Sequence, residues 1–242
     1  MIHMKLAEAF AFSAPVVCAV ICMIMMLMDA HARRSNPVER RLRLFLAFAY
    51  LVSLLGWLGM VFFVLSPRVF VYYYTVFLLT LMLDQVMIYR FVSIITNTGE
   101  HPKFNRLHLI IPLLIIAVSA TGSLLVPVDR QMDIIYGDAG YNSWFRVMYV
   151  TATVIFVVYN SLYPALNLRN IRRYREFIVN YSADAYYTSL NWQTIIQVLI
   201  LVTVPLPFAG LLIGVPVAAV SSLLLFGALA YFINYLILSF NL

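Results

Sequence analysis

The sequence predicts an all-α fold: a polytopic membrane protein built as a seven-transmembrane-helix bundle, N-terminus outside and C-terminus cytoplasmic. Three observations predict it. Of 242 residues, 64% are hydrophobic and 11% are charged, against roughly a quarter charged in an ordinary soluble domain. The apolar residues fall into seven runs, and seven spans of about 22 residues would use nearly all of them. The cations gather at alternate connections between the runs. This balance excludes a soluble globular protein and a disordered one. The longest polar stretch, about 20 residues, is far shorter than the 50 or so a separate domain needs. Residues 1–242 are therefore read as one membrane domain with no soluble domain.

The first span covers residues 7–28 and stops at Asp29. It is too long for a signal peptide and shows no small-residue cleavage pattern, so it reads as a retained helix. Cys18 and Cys22 share one of its faces; bridging them within a helix is geometrically disfavoured, and they read as packing residues. A basic connection follows, with Arg33, Arg34, Arg40, Arg41 and Arg43 around Pro37. The second span, 44–65, stops at Ser66-Pro67-Arg68. The third, 69–95, opens with a run of tyrosines (Tyr72, Tyr73, Tyr74) and carries Asp84, Gln85, Tyr89 and Arg90. After Lys103 and Arg106 comes the fourth span, 107–126, then an acidic loop with Asp129, Asp133 and Asp138. The fifth span covers 144–166 and leads into a basic, tyrosine-rich connection. The sixth, 190–213, is broken by Pro205 and Pro207, which free backbone carbonyls. A turn at Gly214-Val215-Pro216 leads to the seventh, 217–240.

Orientation follows from the cations. The first, third and fifth connections hold 12 of the 16 Lys and Arg residues. The opposite side has four: Lys5, Arg68, Arg130 and Arg146. Cytoplasmic loops collect Lys and Arg, which places the N-terminus outside. The net charge of +6 thus reads as helix orientation and contact with anionic head groups, not as nucleic-acid binding.

Asp84 is the one acid well inside a span. An ionised carboxylate in hydrocarbon is costly, so it should face the bundle, be paired, or be protonated. Gln85, Asn160, Gln193, Gln197 and Asn234 fall at a similar depth, and with Asp84 they form a candidate polar switch. Two readings fit them: side-chain amides gluing helices together, or a hydrogen-bonded network that changes state. Tyr73, Ser119, Thr121 and Tyr149 in the outer half read as packing residues or as the lining of a small-molecule pocket, with packing favoured. The lysines, Lys5 and Lys103, lie outside the spans, so a retinal Schiff base is excluded. His3, His31, His101 and His108 are terminal or in loops, which argues against intramembrane haem, a zinc protease or a Ser-His dyad. No cofactor, metal or enzyme activity is expected.

The segment RRYREFIVNYSADAYYTSLNW, Arg172 to Trp192, has a basic start, tyrosines at Tyr174, Tyr181, Tyr186 and Tyr187, and Ser189-Leu190 with Trp192 entering the next helix. It resembles the last cytoplasmic loop of Bacteroides-type membrane-anchored AraC-family transcriptional regulators. In those proteins a multi-helix membrane domain precedes a cytoplasmic helix-turn-helix domain. The resemblance implies a sensory or signal-relay domain of the bacterial inner membrane. Its candidate relay loop is Arg169, Arg172, Arg173, Tyr174, Arg175, Tyr181 and Trp192. Such regulators continue past their last membrane helix, so this chain is expected to be a sensor half lacking the helix-turn-helix domain, or an independent protein of the same origin. The expected partners are the lipid bilayer and a cytoplasmic regulatory protein or domain, with no direct nucleic-acid contact. The alternatives are a small-solute transporter or transporter subunit, and a structural partner of another membrane protein.

Overall fold

Caps and prolines divide a nearly continuous apolar sequence into helices. The computed structural model describes residues 2–32, 36–97, 105–136, 144–178, 190–203 and 205. These form α1 (Ile2–Ala32), α2 (Pro37–Leu65), α3 (Pro67–Ile95), α4 (Leu107–Leu125), α5 (Val128–Tyr136), α6 (Trp144–Ile178) and α7 (Asn191–Thr203). Among the described residues there is no strand. Helices α1 to α4 and α6 are long and apolar enough to cross a membrane, whereas α7 is apolar but shorter. The expected seventh span, 217–240, and the Gly214 turn lie outside the described residues.

Helix α1 overruns its expected span of 7–28 at both ends and does not stop at Asp29; three further boundaries differ from the sequence expectation, each for a local reason. Helix α2 begins at Pro37, seven residues before the expected start at 44. Asn36 Oδ1 accepts from the backbone N–H groups of Val38 (3.2 Å) and Glu39 (3.3 Å). Its Nδ2 donates to Glu39 Oε1 at 2.8 Å. This cap, with proline at the first helical position, starts the helix early. Arg40, Arg41 and Arg43 are therefore helical, not loop residues. Through Tyr136 the expected acidic loop is helix α5, and Asp138 lies outside the described residues. Gln131 Nε2 donates to the carbonyls of Ser123 (2.8 Å) and Val126 (2.7 Å), clamping the turn out of α4. Gln131 and Ile135 form its buried face, and Asp129 and Asp133 point outward. Finally, α6 does not stop at 166 but runs 35 residues. The stretch 165–178 contains neither glycine nor proline, and Arg172 Nε pairs with Glu176 Oε1 one turn on, at 3.1 Å. Arg169, Arg172, Arg173, Tyr174 and Arg175 accordingly belong to a helix, which corrects their reading as a loop.

Ser66 alone joins α2 to α3, so the two run antiparallel. They approach closely at two glycines. A Cβ on Gly56 would fall 2.5 Å from Leu81 Cδ2, and one on Gly59 would fall 2.5 Å from Phe77 Cδ2. Helices α3 and α6 run parallel, since the Tyr74 ring meets Tyr149 and the Tyr89 ring meets Tyr163. The bundle thus has a basic end, where α1 meets α2, α3 leads to α4 and α6 leads to α7, and an opposite end that carries α5. One apolar core joins α2, α3, α6 and α7 around Trp57, Phe77 and Phe156. A second, toward the basic end, joins Cys22 and Met26 of α1 to Tyr50, Val92 and Ile171. Cys18 is half-buried and Cys22 buried, and neither is in a disulfide. Helix α4 buries one stripe (Pro112, Ile115, Ser119, Gly122) and exposes large apolar side chains around it, Leu124 reaching 88%. Such a wall is stable where lipid, not water, is the solvent.

Candidate functional site

The intramembrane polar residues arise on α3, α6 and α7, and every described member of the expected switch is buried. Asp84 and Gln85 stand side by side on α3 at 3% and 2% exposure. The ring pairs place residue 74 level with 149 and residue 89 level with 163. Gln85 is therefore level with Asn160 on α6. Two turns further along the same face of α6, Asn167 Nδ2 donates to Gln197 Oε1 of α7 at 3.0 Å, both residues fully buried. Gln193 lies one turn from Gln197 on the same face and is also buried.

The expected single cluster is thus two tiers. Asp84, Gln85 and Asn160 form one. Asn167, Gln193 and Gln197 form the other, seven residues along α6, or about 10 Å nearer the basic end. The separation has a simple cause: α6 carries its amides two turns apart along one face, and Gln197 of α7 meets the lower one. Asn160 satisfies its Nδ2 within its own helix, donating to Phe156 O at 3.0 Å. Asn234 lies outside the described residues. Asn167 was beyond the expected end of its span and so was not singled out. The cue was available in the helix-permissive run that follows it.

Pro164 lies between the tiers, inside α6. Lacking an N–H, it cannot donate to the carbonyl of Asn160 one turn earlier, so the ladder is interrupted at the level of the upper tier. Below it, an aromatic group ties three helices together. His108 Nδ1 lies 2.9 Å from the Tyr163 hydroxyl, and the Tyr89 ring stands 5.1 Å from His108 and 5.5 Å from Tyr163.

The expected relay residues divide in two. Arg169, Arg172 and Arg173 are exposed on the end of α6. Tyr174 and Arg175 are half-buried, and Arg175 Nη2 donates to Thr194 Oγ1 on α7. Trp192, in the first turn of α7, packs against both apolar cores. Tyr181 lies outside the described residues. Leu190, just before α7, has φ of 50°, a left-handed conformation that costs a non-glycine residue about 1–2 kcal/mol. Two backbone N–H groups, Gln193 (3.1 Å) and Thr194 (3.2 Å), donate to its carbonyl and hold it there.

One cation counted among the orienting loop residues has another situation. Arg43 is buried in α2, with its side chain 2% exposed, and its Nη1 pairs with Asp29 Oδ2 of α1 at 3.0 Å. It ties α1 to α2 and does not lie among lipid head groups.

At the end opposite the basic one, α2, α3, α5 and α6 line a half-open cavity of about 260 Å³. Phe63, Phe70, Phe77 and Phe156 stand in its wall beside aliphatic side chains, with Tyr74, Tyr149, Thr153 and Arg146 as its polar groups. Helix α5 closes one side. The Tyr136 hydroxyl donates to Phe63 O at 2.8 Å, and the two rings stack at 4.9 Å. Desolvation raises the Tyr136 phenol above its ordinary value, which keeps it a donor. Of the four outer residues weighed as pocket lining, Tyr149 is in this wall. Tyr73 donates to Leu55 O at 2.7 Å, and Thr121 donates to Ala117 O at 2.7 Å. Ser119 lines a groove between α4 and α6.

Comparison with family models, with curated proteins and with solved structures gives no match.

Proposed function

We propose that this chain is a seven-helix sensory or signal-relay domain of the bacterial inner membrane, with its basic end cytoplasmic. It acts through a cytoplasmic regulatory protein or DNA-binding domain, as the resemblance to AraC-type membrane regulators implies. The observation that carries the reading is the continuity of α6. At 35 residues it is about 52 Å long, against a hydrocarbon core of about 30 Å. One element thus reaches from the aromatic cavity, through both polar tiers, to the exposed cations Arg169, Arg172 and Arg173. A tilt of α6 about Pro164 is felt at α7 through Asn167–Gln197 and Arg175–Thr194. Asp84, Gln85 and Asn160 set the energy of that tilt, because a buried acid beside two amides responds sharply to small changes in spacing.

The test compares host transcript profiles for cells expressing the full wild-type chain and its Asp84→Asn variant at equal membrane levels. A changed profile is expected. Identical profiles, together with an unchanged profile for Asn167→Leu, would remove the relay. Solute flux through liposomes holding the purified chain would instead favour the transporter reading.

A further inference from the structure

We propose that the 260 Å³ cavity between α2, α3, α5 and α6 binds a single-ring aromatic alcohol or phenol; the proposal gives the sensory reading above its ligand class, and rests on that reading for its consequence.

The size sets the class first. The volume lies between the roughly 150 Å³ that holds benzene and the roughly 300 Å³ where ordinary ligand pockets begin. It accommodates one ring with a short substituent. The wall sets the ring. Phe70 meets Phe77 edge-on at 5.5 Å and Tyr74 at 5.9 Å, leaving aromatic edges and faces around the space.

The polar groups set the substituent. Tyr74 is 2% exposed and lines the cavity; Thr153 stands beside its hydroxyl without closing a well-formed hydrogen bond to it, and no other partner is found among the described residues. Thr153, also in the wall, donates its hydroxyl to Tyr149 O at 2.9 Å, so only its lone pairs remain on offer. One group must therefore accept from Tyr74, and the same group can donate to Thr153. A hydroxyl does both. A carboxylate accepts from Tyr74 and can pair with Arg146 in the same wall, but it has no proton to give Thr153, which makes benzoate the competitor that the test must separate. A hydrocarbon tail neither accepts nor donates and leaves the buried Tyr74 hydroxyl unsatisfied. The cavity is also well placed to act. Its wall includes Ile134 and Ile135 of α5 and Tyr149 and Thr153 of α6, so an occupant bears on the short capping helix and on the long one together.

The test uses the full chain purified in nanodiscs and isothermal titration with phenol, toluene, benzoate and decanoate as probes. Phenol is expected to bind saturably and more tightly than toluene. Tyr74→Phe should weaken phenol about five- to tenfold, one hydrogen bond's worth, and leave toluene unchanged. Leu78→Phe, which fills the cavity, should block both. The conservative Tyr74→Phe change keeps the test decisive if Leu78→Phe fails to fold. Three results would overturn the proposal: no saturable phenol binding, phenol binding indifferent to Tyr74→Phe, or decanoate or benzoate binding more tightly than phenol. The two readings fail separately. Phenol binding with no effect of phenol or Asp84→Asn on transcripts retires the sensory function. An Asp84→Asn effect without phenol binding retires the ligand class alone.

Discussion

Asp29 and Arg43 show how much one side chain can matter in this bundle. The carboxylate is 35% exposed and the guanidinium 2%, so the cation has the larger desolvation to offset. Asp29→Asn strands a buried charge and should cost about 3 kcal/mol, the low end for a broken buried pair because Asp29 is partly solvated. Arg43→Met removes both the charge and the need for a partner, and should be close to neutral. Thermal unfolding of the two variants in the same detergent measures the contrast. Equal losses would mean the pair itself, not the stranded charge, carries the energy. A milder loss is expected at the amide pair: Asn167→Leu should cost about 0.6–2 kcal/mol, the usual worth of an interhelical hydrogen bond in a membrane. Sequence spacing alone placed Asp84, Gln85, Gln193 and Gln197 inside the bundle, because a polar group in an apolar run has few other places to go. It did not resolve their tiers or find Asn167 as a partner. Those depend on the vertical offset between helices, which no single-chain periodicity contains.

Helices α2 and α3 are held by shape more than by polar bonds. Gly56 and Gly59 let Leu81 and Phe77 press against the α2 backbone. Gly59→Ala puts a methyl 3.0 Å from the Cβ of Phe77, a rigid part of that side chain. The expected loss is about 1–3 kcal/mol, read as a lower midpoint in thermal unfolding. An unchanged midpoint would show that α2 slides freely along α3. Pro164→Ala should act oppositely on stability, restoring a ladder bond in α6 and raising the midpoint, while weakening any signal that depends on the interruption. The five long apolar helices were legible as runs, since lipid demands about 20 apolar residues per crossing. Helix α5 and the last three turns of α6 were not, because both are polar on their outer faces and composition there resembles a loop. Their helicity comes from local chemistry: the Gln131 clamp on two carbonyls in one case and the Arg172–Glu176 pair in the other.

For the molecule as a whole, orientation is the property on which a relay to the cytoplasm depends. The sequence assigns 12 of the 16 cations to one side, and burial of Arg43 against Asp29 leaves 11 of them to set the orientation. Two exposed positions at opposite ends of the bundle make the test direct. Asp129 stands on α5, and Arg172 is 83% exposed near the end of α6. The native thiols are poor competitors for a membrane-impermeant maleimide, since Cys18 is half-buried and Cys22 buried within α1. In intact cells with a permeable outer membrane, Asp129→Cys should label at once. Arg172→Cys should label only after the inner membrane is opened. A sulfhydryl reagent reads position and not stability, and both changes are on exposed faces where folding is insensitive to them. The reverse pattern would turn the basic end outward. The cations of α6 would then have no cytoplasmic partner to meet, and the cavity on the far side would open toward the cell interior.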